Sequence, residues 1–312
     1  MKSTIKFMAV TLCTLLAVSC LTIKEVKGAP MEETFEYSGI KELKVDGLFF
    51  KVDITGYSGS IVEGKIAIPQ TLFKDKFVEV VHSKNGSVLE VQVLHKKIAI
   101  PRFTDEAIIQ IRVPMDTRVD LKTSSGKIEA EQIQTDEIRL ESTSGKIQAE
   151  DLSATNVITK STSGAIVINN CKGAMGIKST SGRISLREGT GNISANSTSG
   201  GQMYEGIMGN IDAQSTSGKI IIHDQTGTLT LEATSGALEG DDVHLKGDSS
   251  FTTSSGRISF DFVNDIDEFS FDLSSKSGML NVGQSKARGR LVFGSGGIKI
   301  TGKSTSGAQT YR

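Results

Sequence analysis

A glycine-tagged tetrapeptide recurs through most of this chain, and its spacing restricts the fold more than any other feature. It reads TSSG at 123–126, STSG at 142–145, 161–164, 179–182, 197–200 and 215–218, and ATSG at 233–236. TSSG at 253–256, SKSG at 275–278, a degenerate GSGG at 294–297 and STSG at 304–307 follow. An active-site motif would occur once or twice. A unit repeated about every 18 to 22 residues belongs instead to a stacked architecture, in which each unit buries its apolar side only against its neighbours.

Aliphatic residues follow the glycine at fixed offsets. Two positions after it stand Ile128, Ile147, Ile166, Ile184, Ile220, Leu238, Ile258 and Leu280; four positions after it stand Ala130, Ala149, Ile168, Leu186, Ile222, Phe260 and Val282. Separation by two is the strand period, so both columns point to one side of a strand. A second inward pair comes later in each repeat, as in Ile138 and Leu140, Ile193 and Ala195, Ile211 and Ala213, Phe269 and Phe271, and Leu291 and Phe293. A third column, Ile133, Leu152, Cys171, Ile207, Val243 and Val263, indicates that the connection between the strands also grazes the core. Ser, Thr, Gly and β-branched residues dominate throughout, which argues against helix.

The expected fold is therefore all-β: a single-stranded, right-handed β-solenoid of the parallel β-helix kind. Some ten coils at a strand spacing of ~4.8 Å make a rod on the order of 50 Å. In that frame Gly126, Gly145, Gly164, Gly182, Gly200, Gly218, Gly236, Gly256 and Gly278 are structural corners. Glycine there is expected to take a positive φ, with the Ser and Thr hydroxyls satisfying backbone groups freed by the turn. Residues 31–120 lack the glycine register but remain strand-like, and they read as irregular opening coils that cap the rod. They continue into the regular repeat of 121–312 as one domain. Little sequence follows the last STSG, so the C-terminal cap is expected to be slight and its edge available for self-association.

The first residues stand apart. Lys2 and Lys6 precede an apolar run, Phe7 to Ile23, which has the pattern of an export signal. Two processing routes fit it: lipidation of Cys20 with the leader ending at 19, or cleavage after residue 28. An uncleaved anchor is the third route, since about 17 apolar residues is the lower limit for spanning a bilayer. The expected location is thus the cell envelope, lipid-anchored, or the periplasmic or extracellular space, with membrane contact only through the leader or its lipid. With 35 basic and 36 acidic side chains the chain has no charge excess with which to hold nucleic acid or an anionic bilayer face. Cys13 and Cys20 lie in the leader, which leaves Cys171 without a disulfide partner and the fold dependent on its core.

The progression VPMDTRVDLKTSSGKIEAE at 113–131 into tandem TSGKI-type units resembles the DUF4097 family of bacterial exported proteins, grouped with adhesin-like and envelope-stress-associated proteins. The similarity covers roughly residues 40 to 305. The resemblance implies a β-solenoid outside the cytoplasmic membrane and brings no set of catalytic residues.

Motifs that could carry chemistry are few. Gly297 to Ser304 match the spacing of a phosphate-binding loop, but IKIT alternates as a strand and another corner follows where a helix is needed. The four histidines, His82, His95, His223 and His244, form no metal-binding pattern, and no serine sits in a nucleophile elbow. Carboxylates are the remaining resource, because solenoid enzymes that cleave polysaccharides assemble acids from neighbouring coils. Asp241 and Asp242, and the group Asp261, Asp265, Asp267 and Glu268, could meet in that way or hold a weakly bound calcium ion. The reading from sequence is a non-enzymatic envelope or surface interaction module of adhesin type, needing no cofactor, with an envelope protein or surface glycan as partner. The alternatives are a polysaccharide-active enzyme and an envelope-stress sensor. A specific site is expected where the repeat breaks: in the opening segment, in an insertion at 201–209, or in the longer coils of 236–296.

Overall fold

The computed structural model describes residues 30–74, 77–96 and 107–312. The leader, Cys20 and both processing points fall outside the described residues. The rest forms one continuous sheet of 25 strands that winds around a single apolar core.

The opening segment supplies β1 (Met31–Ser38), β2 (Glu42–Asp46), β3 (Lys51–Tyr57), β4 (Ile61–Ile68), a short helix α1 (Gln70–Lys74), β5 (Val78–Asn85), β6 (Val88–His95) and β7 (Ile108–Pro114). The regular coils begin with β8 (Arg118–Thr123), β9 (Ile128–Glu131), β10 (Gln134–Ser142), β11 (Ile147–Ser161), β12 (Ile166–Ser179), β13 (Ile184–Thr190) and β14 (Ile193–Ser197). They continue through β15 (Gln202–Met208), β16 (Ile211–Ser215), β17 (Ile220–Gly227), β18 (Leu229–Ala233), β19 (Leu238–Leu245), β20 (Ser249–Thr253) and β21 (Ile258–Phe262). A 3-10 turn at Ile266–Glu268 then leads into β22 (Phe269–Val282), β23 (Ser285–Phe293), β24 (Ile298–Ser304) and β25 (Gln309–Tyr311).

Parallel pairing stacks like on like. Ile128, Ile147, Ile166 and Ile184 form one column on the first face, and Ser142, Ser161, Ser179, Ser197 and Ser215 form another at the end of the second face. Leu152, Cys171, Gly189, Ile207, Gln225 and Val243 make a shorter third ladder, so each coil has three sides. The isoleucines of the first column are fully buried, each contributing ~1.5–3 kcal/mol of burial free energy. Val263 leaves the third column: it is 60% exposed, and Phe262 pairs with Val243 in its place. Residues 201–209 are no insertion, for β15 keeps full register with β13 and β17.

The corner glycines are required for a different reason from the one their sequence suggests. None of the nine lies in the left-handed region. A Cβ on Gly164 would instead stand 1.9 Å from the carbonyl oxygen of Gly145, and one on Gly182 2.0 Å from that of Gly164. Corner backbone packs directly on corner backbone, and only glycine leaves room. Positive φ falls six residues later, at Gln132, Asp151, Asn170, Glu188, Gly206, Asp224 and Asp242, with φ between 46° and 66°. Where the first residue of the tetrapeptide is Ser or Thr, its hydroxyl closes the corner in most coils. Ser161 and Ser179 donate to the carbonyls of Gly164 and Gly182 at 2.7 Å, while Ser215 accepts from Gly218 N–H at 2.8 Å.

Both ends depart from simple winding. At the start, β2 and β3 form a coil onto which β6 and β7 add from outside, and the chain then returns to lay β8 and β9 on the inner side. Antiparallel strands close this end: β4 on β7, β1 on β4, and β5 on β6. Behind β1 and β5, Glu33 and His82 (3.0 Å) and His82 and Tyr37 (2.7 Å) form a polar chain, with the His82 ring stacked on Phe35. At the far end β22 is laid down one coil too far out. β24 then slots between β20 and β22, and β25 between β21 and β22. The antiparallel strand β23 covers the outer edge of β22, so this cap is substantial rather than slight. GSGG at 294–297 accordingly belongs to the return from this hairpin, and Leu291 and Phe293 are only half-buried.

Candidate functional site

The outer surface of the second face is where repetition becomes a binding geometry. In the regular coils from 123 to 256 the two middle residues of the tetrapeptide, such as Thr180 and Ser181 or Thr198 and Ser199, are exposed, while the first residue and the glycine are buried. Their backbone is held coil to coil, as in Ser163 N–H to Thr143 O and Ser199 N–H to Thr180 O, both 2.8 Å. The hydroxyl edge is therefore a fixed array at ~4.8 Å intervals. Beside it runs a groove of about 550 Å³ that crosses five coils. One wall is the threonine column Thr162, Thr180, Thr198, Thr216 and Thr234; the other is the outward column Lys160, Lys178, Asn196, Gln214 and Glu232. A basic end, an amide middle and an acidic end follow one another along it. Lys160 is held by Glu141 at 2.7 Å.

The floor of this groove is stiffened by an internal polar device that sequence reading overlooks. At Gln202 the aliphatic column is broken by a buried amide, whose Nε2 donates to Ser197 Oγ at 2.8 Å and to the Gln214 carbonyl at 2.6 Å. Tyr204, also buried, donates to Gln202 Oε1 at 2.7 Å. The same pair returns at the chain end, where Gln309 Nε2 donates to Ser304 Oγ at 2.9 Å and Tyr311 donates to Gln309 Oε1 at 3.1 Å. The signal was present in STSGGQMY and STSGAQTY, each with Gln at the place of the usual isoleucine. The large ring is accommodated by small residues nearby: a Cβ at Gly302 would lie 2.5 Å from the Tyr311 hydroxyl. Burial pushes both phenols well above their ordinary range, so they stay protonated donors.

Of the acidic residues singled out in the longer coils, Asp241 and Asp261 share one depression, and Asp242, Asp265, Asp267 and Glu268 do not line it. Asp261 is paired with Arg312 at 2.9 Å, and Asp241 faces His223 at 3.9 Å. Glu268 accepts from Asp265 N–H at 3.0 Å and Asn264 Nδ2 at 3.1 Å, which engages both its oxygens in holding the 3-10 turn; Asp267 lies within that turn. Among the described residues no group of three or more His, Cys, Asp or Glu side chains could hold a metal ion. Glu239, Asp241 and Asp261 do line one depression on the first face, together with Lys219, Arg257 and Arg312. Burial works to raise the Glu239 carboxyl, but its hydrogen bonds to Lys219 and Arg257 outweigh this and hold it below the usual range. A carboxyl held in this way is a poor general acid. Gly297 to Ser304 form strand β24 and its corner, with no helix behind a phosphate site. Cys171 is fully buried, and burial pushes its thiol up to about 12, which makes it unreactive. No described helix is long and apolar enough to cross a membrane.

Comparison with solved structures finds chains of similar coverage at low identity. A "putative cell adhesion protein" from Clostridium sporogenes is 12% identical, with 90% of this chain and 98% of that one aligned at a TM-score of 0.29. A "putative adhesin" from Bacteroides fragilis is 16% identical over 90% and 97%, at a TM-score of 0.38. A "putative lipid binding protein" from Parabacteroides distasonis is 15% identical over 73% and 96%, at a TM-score of 0.49. No curated protein matches the chain. The sequence profile of Toastrack DUF4097 matches residues 63–222 and 208–308, from the opening coils to the last corner. The continuous register of stacked corners and this match over most of the length lead to one conclusion: the chain belongs to the Toastrack DUF4097 family.

Proposed function

We propose that the protein is a non-enzymatic module, exported to the envelope or cell surface, whose second face holds an extended glycan. The observation that carries this is the groove over five coils, in which each coil contributes one threonine and one polar side chain in the same relative position. Such a surface offers hydrogen bonds in a linear series, which suits a hydroxyl-rich polymer lying along the rod. Each rung is weak alone, and affinity arises from several rungs engaged at once. Export rests on the leader pattern, and the glycan on the groove chemistry.

The test is binding of linear polysaccharide fragments to the full-length chain and to Asn196→Arg/Thr198→Arg, which fills the middle of the groove. The native chain should be retained, and the variant should lose at least ~10-fold in affinity. Equal binding by both, or no retention of any polysaccharide class, would sink it. Release of shortened products would favour the enzyme instead.

A further inference from the structure

The two ends of the rod are unlike, and they match. Among the described residues β1 pairs only with β4, and β23 only with β22, so each presents one open edge. Open edges recruit strands unless they are covered or carry repelling charge. Here the charges differ by end. β1 carries Glu32, Glu33 and Glu36, whereas β23 carries Lys286, Arg288 and Arg290. Glu32 is paired with Lys65 at 2.9 Å, Glu33 contacts His82 at 3.0 Å and Arg290 is paired with Asp272 at 3.2 Å, whereas among the described residues Glu36, Lys286 and Arg288 make no ion pair; Val292, also on β23, is 67% exposed.

Polarity and register are compatible as well. β1 runs in the direction of the coils, being antiparallel to β4, which is antiparallel to β7. β23 runs against the coils, so a β23 edge meets a β1 edge in antiparallel fashion. The strand registers of the first face place Glu33, Ile66, Ile109, Val52 and Ile128 in one column at the start, and Ile258, Gln309, Leu280 and Ala287 in the same column at the end. A second copy stacked in continuation of that column sets Ala287 opposite Glu33 and therefore Arg288 opposite Glu32. Lys286 then lies diagonal to both Glu32 and Glu36, within reach of long side chains. A self-pairing of two β23 edges, or of two β1 edges, would set like charges against each other, which disfavours the symmetric alternatives.

The geometry points to head-to-tail association of this chain, with β23 of one copy adding as a strand to β1 of the next. Such a contact is heterologous and does not close, so it builds linear chains of rods with one sheet running through them. It goes beyond the proposed glycan groove, which lies on the lateral surface and stays open in the assembly. In effect the polymer would multiply the groove.

The experiment uses the full-length chain in nonionic detergent. Sedimentation is measured over a range of concentrations, in low salt and in ~0.5 M salt, where exposed charges are largely screened. Two variants are compared, Lys286→Glu/Arg288→Glu at one end and Glu32→Lys/Glu36→Lys at the other. The native chain should form oligomers that grow with concentration and shrink in salt. Each variant alone should remain at the size of a single copy, and an equimolar mixture of the two should assemble again, because every junction in it is once more of opposite charge. A carbodiimide cross-link between Lys286 and Glu36 should appear only between copies, since the two residues lie at opposite ends of the rod. A native chain that stays single at all concentrations, or a charge-reversed variant that assembles as well as the native one, would overturn the inference.

Discussion

At the scale of single residues, two kinds of tight turn must be kept apart. Gly182→Ala places a Cβ 2.0 Å from a carbonyl of the coil below, and backbone cannot retreat there without opening the stack. It is expected to cost ~3 kcal/mol or more, read as a drop in the urea midpoint. Glu188, six residues on, holds a φ of 54° that glycine would adopt freely. Glu188→Gly is expected to be neutral or to stabilise by up to ~1 kcal/mol. The opposite order would mean that the corners are governed by φ after all. A pH effect follows from Cys171, whose thiol is pushed by burial from 9.0 to about 12. The folded state keeps its proton while the unfolded state loses it, so the stability tied to the neutral thiol is present below pH 9 and is lost as the pH climbs towards about 12. The buried phenols of Tyr204 and Tyr311 shift in the same direction. Unfolding midpoints should therefore fall on the alkaline side, and Cys171 should resist alkylation at pH 8 until the chain unfolds. Rapid labelling of the native protein would contradict its burial.

At the scale of elements, the C-terminal strands matter more than their position suggests. Tyr311, one residue from the end, is fully buried against Phe251, Phe271 and Phe262. Tyr311→Ala is expected to cost ~3–5 kcal/mol and to release β24 and β25 together, visible as loss of amide protection in β20, β21 and β22 as well. Loss confined to the last residues would mean that β25 is not wedged between coils. This element is also where the sequence misleads. SKSG at 275–278 keeps the corner chemistry, with Gly278 N–H donating to Ser275 Oγ at 2.7 Å, so it reads as one more coil. Nothing local marks Ser285–Phe293 as an antiparallel return, because alternation looks the same in either direction, and the pairing partner of a strand is a non-local fact. The regular coils were legible for the complementary reason: their Ile, Leu and Ala columns repeat at offsets that only stacking explains. The Gln202 and Tyr204 pair was legible only as a gap in the isoleucine column. The groove was not, since it arises from side chains 18 residues apart that become neighbours only on winding.

At the scale of the whole molecule, the first face is fifteen strands deep, counted from β1 to β23 through the paired registers. At ~4.8 Å per strand the rod is about 65 Å long, longer than a count of glycine corners implies, because both caps add strands that carry no corner. On the function proposed above, binding is distributed along the rod, while in the longer coils Asp261 is paired with Arg312 and Glu268 clasps a turn. Length dependence distinguishes a distributed site from a local one. Calorimetric titration of the chain with linear glycan oligomers of increasing length tests this directly. Affinity should rise stepwise with each added sugar until the five coils from Lys160 to Glu232 are spanned, and then level off. Full affinity already reached with a mono- or disaccharide would contradict it.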